Sequence, residues 1–201
     1  MPVLRCTSKL LGDIDDEPMA ESSTPGPSPL GDWYGHIFTA DRHKCILFIN
    51  EPTLFVSLAC WVMKSQYRQI VPFFVESLTL TLRNQAFHPD EIDFILGLHK
   101  DTTVGRTLNP TMIGSLNNRV SNAKSMLQWH GGYGYCDCRV INIGLNETPM
   151  KPIGYSTGME KMAALVAGLR KQCDRPPYWP RCPKKTKKPA QLRRASHFRI
   201  L

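Results

Sequence analysis

The chain has 201 residues, 42% of them apolar and 21% charged, and a formal net charge of +8. That length supports one domain with a real core and little more, and no stretch approaches the roughly 18 consecutive apolar residues of a membrane-spanning helix. The opening MPVLRCTSKLL is too short in its apolar stretch, and lacks the small-residue cleavage pattern, to read as a signal peptide. The expected compartment is the cytoplasm, with the seven cysteines reduced and behaving as small hydrophobes where apolar runs enclose them.

The positive excess is not spread evenly. From Lys171 to the end, ten basic residues face Asp174 alone, whereas the first 170 residues hold fifteen basic and sixteen acidic residues. Basicity is therefore a property of an appendage, and the body carries no polyanion signal in its net charge.

In chain order, Val3-Leu4-Arg5-Cys6 reads as a first strand. Residues 12–31, GDIDDEPMAESSTPGPSPLG, hold too few apolar residues to offset ordering entropy and read as a mobile loop, an insertion or a lid. Trp33, Gly35, Ile37 and Thr39 alternate with Tyr34, His36 and Phe38 over 33–39, which suits a strand. Ala40-Asp41-Arg42-His43 supplies a polar turn. The continuous run Cys45-Ile46-Leu47-Phe48-Ile49 then suits a strand buried on both faces, so residues 33–49 are expected to form an antiparallel hairpin. Asn50 is suited to cap a helix with Pro52 in its first turn, and Leu54, Phe55, Leu58, Ala59 and Val62 follow at helical spacing.

Further along, Ile70, Phe74, Leu78 and Leu82 recur every four residues and predict a helix. His88-Pro89-Asp90-Glu91 is a helix start, with proline in the first turn and acids at the positive end of the dipole. Residues 101–109, DTTVGRTLN, read as a polar connection. Asn109-Pro110 opens a helix with one face made of Ile113, Leu116, Val120, Ala123 and Leu127 and a polar face made of Asn117, Asn118, Ser121, Asn122 and Ser125. Three glycines in four positions make 129–135, WHGGYGY, a loop. A short helix is expected over 137–145. Thr157-Gly158-Met159-Glu160 is a capping box for a last helix that buries Met162, Leu165, Val166 and Leu169. From Lys171 onward no period survives. The expected architecture is α+β: a single domain over 1–170 with a small, mainly antiparallel sheet (strands near 3–6, 33–39 and 44–49) covered by five or six helices, then a disordered basic tail over 171–201.

Four blocks, RCTSKL, DRHKCILFIN with its following TLF, VGRTLNPTMIGSLNN and LNETPMKPIGY, together resemble an uncharacterised prokaryotic family known only as a domain of unknown function. The resemblance spans about residues 1–170 and implies a small cytosolic α+β protein. It carries no activity, cofactor or catalytic residue with it. Where the family is expected to read close to GKTxNRSxLGSMN, this chain has Arg106 for lysine and Pro110 for arginine, which weakens any fixed basic constellation in that loop.

The residues themselves offer several candidates for chemistry. Gly105-Arg106-Thr107 before a helix start, and the cations Arg42-His43-Lys44 at the hairpin turn, can each grip an anion such as phosphate or carboxylate. A solvated turn and an ordinary capping loop are the plainer readings, and the full phosphate-loop motif is absent. Cys136-Asp137-Cys138 has one residue between its thiols where structural zinc pairs have two to four, so no metal and no cofactor is expected. No nucleophile elbow or other local catalytic signature is present, and catalytic residues remain unassigned. In the tail, Lys184, Lys185, Lys187, Lys188, Arg193 and Arg194 suit salt-sensitive contacts to nucleic-acid phosphates, or to an acidic protein partner. The favoured expectation is a non-enzymatic nucleic-acid-associated protein, of a mobile element or a small regulatory or defence system. The rivals are a small enzyme acting on a phosphorylated or nucleotide substrate and a protein–protein interaction module.

Overall fold

A computed structural model describes residues 1–19 and 28–173. Five strands, β1 (Val3–Cys6), β2 (Trp33–Ala40), β3 (His43–Asn50), β4 (Val56–Val62) and β5 (Thr103–Arg106), form one sheet in the order β4-β3-β2-β1-β5. The pairs β2–β3 and β3–β4 are antiparallel, while β1 runs parallel to both β2 and β5. Five helices of ten residues or more accompany the sheet: α3 (Ile70–Asn84), α4 (Pro89–Leu98), α5 (Pro110–Trp129), α6 (Cys138–Glu147) and α7 (Gly158–Cys173). The single turns α1 (Ser8–Leu11) and α2 (Lys64–Tyr67) and a 3-10 turn at Lys151–Ile153 complete the set among the described residues. The fold is α+β, as the sequence implies, with a mixed sheet.

Alternation along the central hairpin builds a core on each side of the sheet. Trp33, Ile37, Ile46 and Phe48 face one layer, where α3, α4 and α7 contribute Ile70, Phe74, Leu78, Ile95, Met162 and Val166. Tyr34, Phe38, Cys45, Leu47 and Ile49 face the other, closed by Leu116, Val120, Ala123 and Leu127 of α5 and by Ile141 and Leu145 of α6. The continuous apolar run 45–49 is buried throughout, because helices cover both of its faces. The helix starts also form as their sequences imply. His88 accepts from the Asp90 amide, and Thr157 and Glu160 exchange the two bonds of a capping box.

Two segments correct the reading from sequence. Residues 56–62, expected as helix, are β4. Asn50 turns the chain instead of capping a helix: its amide donates to Phe55 O, its side chain accepts from Thr53 Oγ1 and donates to Leu30 O, and Leu54 takes a positive φ of 55°. The apolar positions from 54 to 62 satisfy either period, and the open edge of β3 settles the choice. The second correction is β5. Its four residues carry little strand signal, yet they pair with β1 residue for residue.

The acidic segment expected to be a mobile loop is held at several points where it is described. Asp13 accepts from Lys44 and Tyr67, Asp15 pairs with Arg68, and Asp16 accepts from the Ile70 amide at the start of α3. The Lys44 hydrogen bond holds the Asp13 carboxyl below the usual range. Leu30, at the far end, is fully buried. Residues 20–27 lie outside the described residues, as do residues 174–201, which carry nearly all of the expected basic tail. The start of that expected tail is the last turn of α7.

The edge strand β4 is closed by side chains. Asn142 and Asn146, one turn apart on α6, each hydrogen-bond both backbone groups of a β4 residue. Asn142 accepts from Leu58 N and donates to Leu58 O, both at 2.8 Å. Asn146 does the same for Val56, at 2.7 and 2.8 Å. Four residues of helix rise about 6 Å and two residues of strand about 6.6 Å, so the two repeats match closely enough for both amides to engage. Both asparagines are buried.

Asn146→Ala is expected to strand the Val56 amide and carbonyl away from water and to lower unfolding free energy by about 2–4 kcal/mol in urea titrations. A loss under about 1 kcal/mol would show that water replaces the side chain. His99, almost fully buried, gives a pH dependence. Its Nδ1 donates to Ile95 O at 2.8 Å, and burial lowers its pKa below 6.5. Above that value the ring is neutral whether the chain is folded or not. Below it the unfolded chain takes up a proton that the folded one refuses, so stability falls until the folded pKa is reached. The melting temperature is expected to drop as pH falls through about 6.5, where the unfolded ring takes up its proton, and His99→Gln to reduce that drop. An unchanged drop in the variant would assign it elsewhere, His36 being the other histidine that burial depresses.

Candidate functional site

The candidate site is built at the tip of the β2–β3 hairpin. Ala40 pairs with His43, leaving Asp41-Arg42 as a two-residue loop with φ of 44° and 65°. Positive φ at both positions defines the tight turn whose twist suits antiparallel strands, and glycine is favoured at the second position because it has no Cβ to clash. Arg42 occupies that position and is exposed.

Strand alternation sends the neighbouring cations apart. His43 stacks on Tyr133 with ring centroids 3.6 Å apart and 15° between planes, and Trp61 stands edge-on to both rings. Lys44 points to the opposite layer, where it donates to Asp13 and to Tyr67 Oη. That hydrogen bond to Asp13 raises its pKa and keeps it charged, with the Asp13 carboxylate already occupying the place of an outside anion. The expected trio Arg42-His43-Lys44 is thus divided between two environments.

Tyr133 is brought to the tip by the glycine loop that follows α5. Its amide donates to Asp41 Oδ2 at 3.0 Å, and Gly131, Gly132 and Gly134 all have positive φ. At Gly132 a side chain would displace the Asp41 carboxylate that holds the Tyr133 amide, and the φ of 71° there favours glycine as well. The segment 129–135 that leads to and from this contact is rich in uncovered rings. Trp129 is 88% exposed, Tyr135 87% and Tyr133 52%. Lys124, exposed on α5, lies over the Phe38 ring of the same layer. Nearby, Asp137 caps α6 and is paired with Arg139, which holds its carboxyl low. Reading WHGGYGY as a loop missed this patch, although its aromatic density was the available signal.

The other expected anion site lies elsewhere. Gly105 and Arg106 belong to β5, three strands across from β3. Arg106 is level with Cys6 and Gly35, five residues below the hairpin tip, so His43 and Arg106 stand on the order of 20 Å apart. Thr107 follows on the way to Asn109, whose side chain accepts from the Thr111 amide and donates to Glu51. The first turn of α5 is therefore capped from within, with a carboxylate beside it that opposes an anion. Gly105 is placed by packing, since a Cβ there would come within 2.8 Å of Val3 Cγ1.

The cysteines correct the expectation of seven free thiols. Cys60 of β4 and Cys138 of α6 form a disulfide, with Cα atoms 6.0 Å apart, while Cys6, Cys45 and Cys136 are free. Among the described residues, no group of three or more His, Cys, Asp or Glu is placed to hold a metal ion, and no helix is long and apolar enough to cross a membrane. The six tail cations, Lys184, Lys185, Lys187, Lys188, Arg193 and Arg194, lie outside the described residues.

A family model described as Domain of unknown function (DUF6933) matches residues 3–161. The chain belongs to this family. The matched span runs from β1 into the first turn of α7 and contains the whole sheet, the hairpin tip, the glycine loop and both edge asparagines. No curated protein matches the chain.

Arg42→Gly is expected to relieve the left-handed penalty and raise unfolding free energy by roughly 0.5–1 kcal/mol, whereas Arg42→Ala keeps the Cβ and leaves stability near the wild type. Urea titrations of the two variants check this. Equal stabilities would show that the turn has relaxed to another geometry.

Proposed function

We propose that the protein is a non-enzymatic nucleic-acid-binding protein whose hairpin-tip surface takes single-stranded segments. The observation that carries this reading is Arg42, held at a turn position that favours glycine. It lies between Asp41, which holds the Tyr133 amide, and His43, which stacks on the Tyr133 ring, with Trp129 and Tyr135 exposed a few residues along the chain from Tyr133. A residue that costs stability where a smaller one would fit better is placed there for its side chain. An exposed guanidinium on the same hairpin tip as the partly exposed Tyr133 ring suits a phosphate next to a stacked base, a mode that reads little sequence. The tail cations, concentrated after Lys171 in a chain whose first 170 residues are nearly neutral, add interactions that displace condensed counterions.

Retention of single-stranded DNA and RNA oligonucleotides by the full chain, followed across a salt series, tests the proposal. Tyr133→Ala and Trp129→Ala are each expected to weaken binding by about 1–3 kcal/mol at fixed salt. Replacing Lys184, Lys185, Lys187, Lys188, Arg193 and Arg194 by glutamine in the full chain is expected to flatten the salt slope, by about 0.7 for each phosphate no longer neutralised. Absence of retention at low salt would remove the proposal, and unchanged binding in both aromatic variants would move the site away from the hairpin tip.

A further inference from the structure

Of the five cysteines whose side chains are described, four gather against one core. Cys45, Cys60, Cys136 and Cys138 all belong to the layer that α5 and α6 close, whereas Cys6 lies in the opposite layer. Their backbone setting is irregular. The pairing of β3 with β4 slips between Lys44↔Val62 and Ile46↔Ala59, so Cys60 and Trp61 together oppose Cys45. This is a β-bulge, and it turns Trp61 to a positive φ of 58°. The bulge directs Cys60 toward α6, where it is bonded to Cys138, and Trp61 toward His43 and Tyr133.

Cys136 is free and half-buried two residues before Cys138. Two residues of chain span at most about 7 Å, so a short movement of the segment before α6 exchanges one sulfur for the other. Cys138 is the first residue of α6. A thiolate there sits at the positive dipole end of a ten-residue helix, whose Arg139, Val140 and Ile141 amides are taken by Asp137, and Arg139 neutralises the Asp137 carboxylate. Stabilising the departing thiolate favours its departure.

We propose that Cys60, Cys136 and Cys138 form a thiol–disulfide exchange site in which Cys136 displaces Cys138 from Cys60. The Cys136 thiolate attacks the Cys60 sulfur, a Cys60–Cys136 bond forms, the Cys60–Cys138 bond breaks, and its electron pair leaves on Cys138. One disulfide and one thiolate are present before and after, so the step needs no outside oxidant or reductant. Cys136 closes one end of the glycine loop that carries Tyr133: its amide donates to Gly132 O at 3.1 Å. Drawing Cys136 onto Cys60 therefore pulls this loop and changes how Tyr133 meets His43 and Trp61. Burial, and then Asp137, raise the Cys136 thiol above its ordinary value, which lowers the fraction of attacking thiolate and makes the exchange slow at neutral pH.

The test uses the full chain in a buffer of reduced and oxidised glutathione. Acid quenching, alkylation of free thiols in denaturant, and peptide mass spectrometry without reduction then identify the pairs. In the wild type the Cys60–Cys138 cross-link is expected with a minor Cys60–Cys136 species. Cys138→Ser is expected to convert to Cys60–Cys136, seen as loss of alkylation at both residues, and Cys136→Ser to retain Cys60–Cys138 alone. Full alkylation of Cys60 and Cys136 in Cys138→Ser, with its far-ultraviolet circular dichroism matching the wild type, would overturn the proposal. So would a wild type in which Cys136 is never found in any disulfide with Cys60 at any glutathione ratio. The wild-type arm keeps the test decisive if the Cys138→Ser variant does not fold.

Discussion

The architecture depends on how the edge of β4 is satisfied. An edge strand in a sheet covered on both faces has backbone groups that neither a neighbouring strand nor bulk water completes, and leaving them unpaired is costly. Asn142 and Asn146 supply that missing neighbour from a helix, two bonds each. Because α6 is held at the edge, it joins the layers: Gln85, just after α3, donates to Asn142 O from one side, and Arg119 of α5 donates to Leu145 O from the other. Arg119 is itself fully buried, with burial lowering its pKa to about 10. Its role is to satisfy the carbonyls at the end of α6, where a cation also meets the negative end of the helix dipole.

The same edge governs the geometry of the hairpin tip. The bulge in β4, the Cys60–Cys138 bond and the first turn of α6 all meet there, and the glycine loop leads directly into that turn. The aromatic cluster of His43, Trp61 and Tyr133 is therefore assembled from three distant parts of the chain, each positioned by backbone irregularity: a turn with two left-handed residues, a bulge and a run of glycines. Such irregularities concentrate where a surface is shaped for contact.

Charge in the body largely serves to hold the fold together. Acidic residues near the N-terminus are consumed in holding their own segment to the domain, through Asp13, Asp15 and Asp16. Lys44, which looks in the sequence like one of three cations at a turn, is matched by Asp13, while Arg42 alone of the three remains a well-exposed cation at the tip. Alternation explains the split, since successive strand residues face opposite layers.

Local pattern decided a good deal by itself. The hairpin, the helices beginning near Ile70, Pro89, Pro110 and Gly158, and the capping residues His88, Asn109 and Thr157 were legible because apolar periodicity and cap chemistry act over a few neighbouring residues. The tertiary structure decided what those rules leave degenerate. Residues 54–62 fit a helical or an extended period, and only the vacant side of β3 chose between them. Thr103–Arg106 became a strand because β1 offered an edge. Lys44 and His43 parted, Cys60 found Cys138, and Tyr133 came to rest on the hairpin, bringing together residues 78 to 92 positions apart. Such pairings depend on which surfaces the folded layers bring together, and a one-dimensional pattern does not carry that information.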